Sequence, residues 1–270
     1  MVDSLSLITG LRILVPAIYY LVAVCYVIEF IKMRPSHFTW TKPALITGIL
    51  LHVLLFTLLY VWHGRLPYDT VFNGLLFVSL IVSVLYLGLE QFIGDIRYGA
   101  FLFPVNCILS MVAVFNLNIT AKLPPALHSI YFIAHASLLF SAYACFLLSF
   151  AVSVMYLLQY RQIKNHHLGG LFKRLPALAD MDAAVMRLDA LGLGLLILGL
   201  ATGFLWMEMA MGVPVRVMVK IGMSILIALA YLAEHLLRIG KGWNGQRACL
   251  ISIAGFICVV LTILVGRHGY

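Results

Sequence analysis

Residues 127–159 read LHSIYFIAHASLLFSAYACFLLSFAVSVMYLLQ, without one Asp, Glu, Lys or Arg. A helix needs about 20 mostly apolar residues to cross the hydrocarbon core of a bilayer. This run is longer than that, and it lacks the charged face that a helix in water would present. Similar apolar runs flank it at about 7–31, 43–62, 71–89, 98–116, 188–206, 215–237 and 248–265. Breaker residues separate them: Pro35, the 64–67 segment, Gly94 with Asp95, Pro124 with Pro125, Gly169 with Gly170, Pro214 and the 240–245 segment. The fold class that follows is all-α, a polytopic membrane helix bundle of about eight transmembrane helices. Residues 1–270 form a single integral membrane domain in this reading.

Composition agrees. The chain of 270 residues is 63% hydrophobic and 10% charged, with mean hydropathy +1.05. A soluble domain carries roughly 25% charged residues. The net charge of +8 sits in short segments between apolar runs. There it orients a membrane protein rather than recruiting nucleic acid. Lys32, Arg34, Lys42, Arg97, Arg161, Lys164, Lys173, Arg174, Arg187, Arg238, Lys241 and Arg247 fall on one side. Only Arg12, Arg65, Lys122, Arg216, Lys220 and Arg267 fall on the other. The richer side is the cytoplasm by the positive-inside rule, so both termini face outward. The expected location is a bacterial inner (plasma) membrane, with lipid as the first partner.

The first apolar stretch runs from about Ile13 to Ile31 and ends at Lys32 and Arg34. It has spanning length and no small-residue cleavage site, so it is read as the first helix rather than a signal peptide. Cys25, Cys107, Cys145, Cys249 and Cys258 lie in or beside apolar runs with no CxxC pair. They read as small core residues. The basic cytoplasmic loop 160–187 contains Pro176, Asp180 and Asp182, which predict the start of a short interfacial helix. In the sixth run Gly199 and Gly203 are spaced for close helix packing.

Ionisable groups inside a membrane are costly, which makes each a functional candidate. His52 lies mid-way along the second run, His135 near the outer end of the fifth, and Lys220 near the outer end of the seventh. Glu234, His235 and Arg238 lie at the inner end of the seventh and read as a solvated helix end. His63, His128 and His268 lie at outer ends. Neutral imidazole holds a metal or haem iron. His135 and His268 both belong to the outer half, as a six-coordinate haem b would require. Lys220, Arg216 and Arg267 share that side and suit its propionates. The bland alternative for His52 and His135 is a hydrogen bond to a neighbouring helix. Trp40, Trp62, Trp206 and Trp243 fall at interfaces, where anchoring explains them.

Three segments carry a resemblance to the cytochrome c assembly protein family, of CcsA type, nearest its short YpjD and HemX-like branch. His135-Ala-Ser-Leu-Leu-Phe-Ser-Ala-Tyr143 is similar to the family's His followed eight residues later by Tyr. Gly203, Trp206, Lys220, Tyr231 and Arg238 keep the family's Gly–Trp–Lys–Tyr–Arg spacing. Gly266-Arg-His268-Gly-Tyr270 resembles its closing Gly-x-His-x-Tyr. The likeness covers most of residues 50–270 and implies that His135 and His268 are external haem ligands. The family's haem-handling members carry a tryptophan-rich signature between that Trp and that Lys. Residues 207–219 here contain no Trp and no Asp, and only Gly212 falls in step. The family's inner His aligns with Leu236, one residue from His235.

The resemblance implies a haem-handling protein active in cytochrome c maturation or haem delivery, with cytochrome c assembly proteins or an apocytochrome as partners. The expected cofactor site is His135, His268, Tyr143, Trp206, Lys220 and Arg267, with iron on the two histidines. The missing tryptophans motivate a rival, a HemX-like membrane regulator working through a protein partner. An ion or small-molecule transporter is less favoured, because no broken helix or carboxylate pair is read. No nucleophile, base and acid set is recognisable, so the chain is expected not to be an enzyme.

Overall fold

The computed structural model describes residues 2–32, 40–63, 66, 68, 70–117, 129–166, 169–170, 172–209 and 215–265. For 2–5, 63, 209, 215–220 and 264–265 it describes the backbone alone. Among these residues it contains α1 Val2–Lys32, α2 Thr41–His63, α3 Val71–Ile93, α4 Gly99–Phe115, α5 Ile130–Lys164, α6 Leu178–Met209, α7 Val215–Lys241 and α8 Gln246–Val265. All eight are long and apolar enough to cross a membrane. The protein is a multi-pass helical membrane protein.

The helix borders extend beyond the apolar runs in several places. The largest departure is at 160–187. There α5 continues to Lys164 and α6 already begins at Leu178. The connection is therefore residues 165–177, with a 3-10 turn at Phe172–Arg174. Residues 178–187 are the first turns of α6, not a separate interfacial helix. Packing explains this: Met181, Ala184, Val185 and Leu188 are buried at helical spacing. Asp182 on the same segment also receives hydrogen bonds from Arg238 and from the Gly245 amide.

The helices group into two compact units, residues 1–123 and 124–270. In the first, α1 packs against α4 and α2, and α3 packs against α4. Tyr26, Tyr86 and Phe103 meet at centroid distances of 5.0–5.3 Å. Gly99 allows this approach, since a Cβ there would lie 2.5 Å from the Tyr86 hydroxyl. Arg12 donates to the carbonyls of Val114 at 2.9 Å and Leu117 at 3.4 Å. It thus adds a side-chain donor to the C-terminal end of α4, where the Asn116 and Leu117 amides already reach the Val114 carbonyl.

In the second unit α5 is the central helix. Residues 142–149 are buried on every face, as expected for a helix apolar all round. It packs mainly on α6 and also on α8, while α7 lies against α8 and α6. Tyr143, Phe146, Leu193, Leu196, Ile227, Tyr231 and Val259 form the core between them. Cys145 and Cys249 are buried here as free thiols, in the role of small apolar residues.

Candidate functional site near the start of α5

His135 stands one and a half turns into α5, on the side that faces α6. Its Nδ1 lies 2.6 Å from the Gly199 carbonyl oxygen. A carbonyl oxygen only accepts, so Nδ1 carries the proton and donates. The tautomer is thereby set, and the lone pair sits on Nε2. A backbone carbonyl on the far nitrogen is the usual way a ligating imidazole is oriented and made more basic. Among the described residues Nε2 has no hydrogen-bond partner.

Two glycines of α6 let α5 approach closely, and Gly203 makes room for the ring. A Cβ at Gly203 would fall 2.5 Å from His135 Nδ1, and one at Gly199 would fall 2.8 Å from Leu139 Cδ2. The close-packing reading of this pair is correct, and it has a local consequence. The stripe seats an imidazole on the helix backbone. Trp206, two turns beyond Gly199, lies nearly parallel to the His135 ring at 6.4 Å and 18°. Phe132 meets the same indole at 5.2 Å. The indole therefore has ring contacts inside the protein as well as a place near a helix end.

His135, Leu200, Gly203, Phe204, Trp206, Met207 and Ile221 line a small open pocket of about 50 Å³. Its lining has the character of a ligand pocket, mostly apolar with a placed polar group. Here His135 is the polar group. Ile221 brings the start of α7 to the pocket, and Lys220 is its neighbour in the chain.

The structure brings His135 and Trp206 together. Tyr143 lies elsewhere, eight residues further along α5 and about 12 Å along its axis. It is buried in the core and meets Phe140 at 6.5 Å. The Lys220 side chain, His268 and Arg267 lie outside the described residues, as do the side chains of His63 and His128.

His52 belongs to the first unit. It is fully buried and hydrogen-bonded to the Tyr19 hydroxyl at 3.0 Å. The bland reading thus accounts for one ring nitrogen; Nε2 has no partner among the described residues.

One sequence expectation is overturned at the other end of the second unit. Glu234 and Arg238 do not form a solvated helix end. They are 1% and 6% exposed, because Arg238 is drawn inward by Asp182 and Glu234. Asp189, also 1% exposed, stands in hydrogen-bonding reach of Glu234. A buried carboxylate pair therefore exists where none was read. The missed signal was spacing: Asp182 and Asp189 lie seven residues apart on one helical face, and Glu234 and Arg238 lie four apart on another.

Eight helices of spanning length among the described residues, with one imidazole oriented by a backbone carbonyl beside an apolar pocket, define a polytopic membrane protein. The family model described as Cytochrome C assembly protein matches residues 46–268, and the chain belongs to that family. It is 29% identical over 214 residues to Protein HemX of Brevibacillus brevis, covering 78% of this chain and 76% of that one. It is 28% identical over 244 residues to cytochrome c biogenesis protein CcsA of Prochlorococcus marinus (strain MIT 9312), covering 79% of each. Protein HemX of Bacillus subtilis (strain 168) is 26% identical over 208 residues, covering 75% of this chain and 74% of the relative.

Proposed function

We propose that this protein binds haem b near the outer leaflet of a bacterial inner membrane and hands it on during cytochrome c maturation. The observation that carries the reading is the His135–Gly199 hydrogen bond, which leaves Nε2 as a free donor of its lone pair beside an apolar pocket. Haem is the cargo, and its iron supplies the redox chemistry of whichever cytochrome receives it. The chain's own task is to bind, orient and exclude water, not to make bonds.

The residues present suit that cargo. His135 offers an axial nitrogen whose far side is already anchored. Trp206 and Phe204 offer apolar surface, and the glycines of α6 keep a wall of the pocket flat. Lys220, beside Ile221, is the first cation to expect near the propionates, with Arg267 the second. His268 is the proposed opposite ligand. The positive-inside count supports the outward placement, since it assigns the start of α5 and the end of α6 to the poorly charged side.

The test is the visible spectrum of the detergent-purified protein, oxidised and then dithionite-reduced, beside His135→Ala and the double variant His135→Ala, His268→Ala. A b-type spectrum in the wild type, weakened in the single variant and lost in the double, is the expected result. A folded wild type that stays colourless when haem is offered would remove haem from the account. The regulator reading, motivated by the absence of Trp and Asp from 207–219, would then take its place.

A further inference from the structure

Three carboxyl groups and one guanidinium meet at the end of unit 124–270 opposite His135. Arg238 Nε donates to Glu234 Oε1 at 2.7 Å, and Nη1 donates to Asp182 Oδ1 at 2.9 Å. The Gly245 amide also donates to Asp182 Oδ1, at 3.0 Å. Ser252 Oγ donates to Asp189 Oδ1 at 3.3 Å, and Ser149 Oγ stands 2.9 Å from Ser252 Oγ. The Asp189 and Glu234 carboxyls are in hydrogen-bonding reach of each other. Both are almost completely buried, whereas the Asp182 side chain keeps 22% of its surface exposed.

The donors of this set do not reach two of its carboxylate oxygens. Asp189 Oδ2 and Glu234 Oε2 are buried and have no donor among the described residues. Arg238 is shared between Glu234 and Asp182 through Nε and Nη1, and its buried Nη2 has no acceptor among the described residues. The other groups facing the pair are Cys145 on α5, Tyr231 on α7 and Cys249 on α8, with Tyr156 beside Asp182 and Arg238 and Cys258 beside Tyr231. None of these brings a positive charge. His235 is turned about 100° away around α7. Two ionised carboxyls side by side in an apolar interior, with one cation already engaged, leave an uncompensated negative charge, which is strongly unfavourable. A proton between them turns one acceptor into a donor and supplies the missing hydrogen bond.

We propose that Asp189 and Glu234 together form a buried binding site for a single proton. The proton arrives from water at the Asp182 end and forms one O–H bond on a carboxylate oxygen; release breaks that bond and returns the proton to water. No electrons move. Toward the His135 end Tyr231 closes the site, stacked on Phe146 at 4.0 Å with its hydroxyl donating to the Ser252 carbonyl at 3.2 Å. The proposal is independent of haem binding.

Infrared spectroscopy of the full chain in lipid nanodiscs tests it. The expected result at neutral pH is a protonated-carboxyl C=O band that shifts in D2O. That band is lost in Asp189→Asn and in Glu234→Gln and kept in Asp182→Asn. Absence of the band from the wild type, or its survival in both variants, overturns the proposal. So does its disappearance on adding Na⁺ or K⁺ at constant pH, which would assign the site to a metal cation. Should the variants not fold, titration of the wild-type band decides alone. Persistence well above the pH at which exposed carboxylates ionise supports the site, and loss at that pH refutes it.

Discussion

His135 and Gly203 are one design at the level of single residues. The imidazole lies where any side chain on residue 203 would have to be. Gly→Ala inside a helix normally gains about 0.5–1 kcal/mol through backbone entropy. At Gly194, which has open space around its would-be Cβ, that gain is expected in full. At Gly203 the new methyl would sit 2.5 Å from His135 Nδ1, and overpacking of this kind costs about 1–3 kcal/mol. Thermal unfolding in detergent should thus show Gly194→Ala raising Tm and Gly203→Ala lowering it. Gly203→Ala should also displace the ring from the Gly199 carbonyl and weaken haem binding. Equal shifts for the two variants would mean that Gly203 does not seat the histidine.

At the scale of elements, Arg238 ties α7 to α6 through Asp182 while holding Glu234 on its own helix. Removing one partner of a buried ion pair strands the other charges, at a cost of about 3–5 kcal/mol. Arg238→Met is expected to destabilise the protein by that amount. The triple variant Arg238→Met, Asp182→Asn, Glu234→Gln should recover most of the loss, because the two carboxylates that Arg238 bridges no longer carry charge. If the triple variant is as unstable as the single one, packing of the arginine stem rather than charge is what joins the helices. The same network explains why α6 starts at Leu178. An aspartate at position 182 that must reach Arg238 requires an ordered helix there, although the segment is too polar to belong to an apolar run.

For the whole molecule, charge placement predicts both termini outside and the 165–177 connection in the cytoplasm. Alkaline phosphatase, active only outside the cytoplasm, should be active when fused after Tyr270 and inactive when fused within 165–177. The reverse pattern would put His135 and its pocket on the cytoplasmic side and would end the outer-leaflet proposal. The two compact units, 1–123 and 124–270, also divide the candidate chemistry. His52 belongs to the first. His135 and the acidic network belong to the second, at its opposite ends.

Sequence by itself determined the number of spans and their approximate borders. A bilayer demands long apolar runs with every backbone group paired internally, and such runs are visible one residue at a time. It also singled out His135 and Trp206, since a lone imidazole in an apolar run and a motif at fixed spacing are local features. Only the tertiary structure decided what those residues touch. The Gly199 carbonyl selects the His135 tautomer, Tyr143 belongs to the core rather than the pocket, and Asp189 stands beside Glu234. These pairings join residues up to 64 apart in the chain. Their cause is helix packing, in which small residues let one backbone approach a side chain on another helix and buried charges seek whichever partner the packing brings within reach.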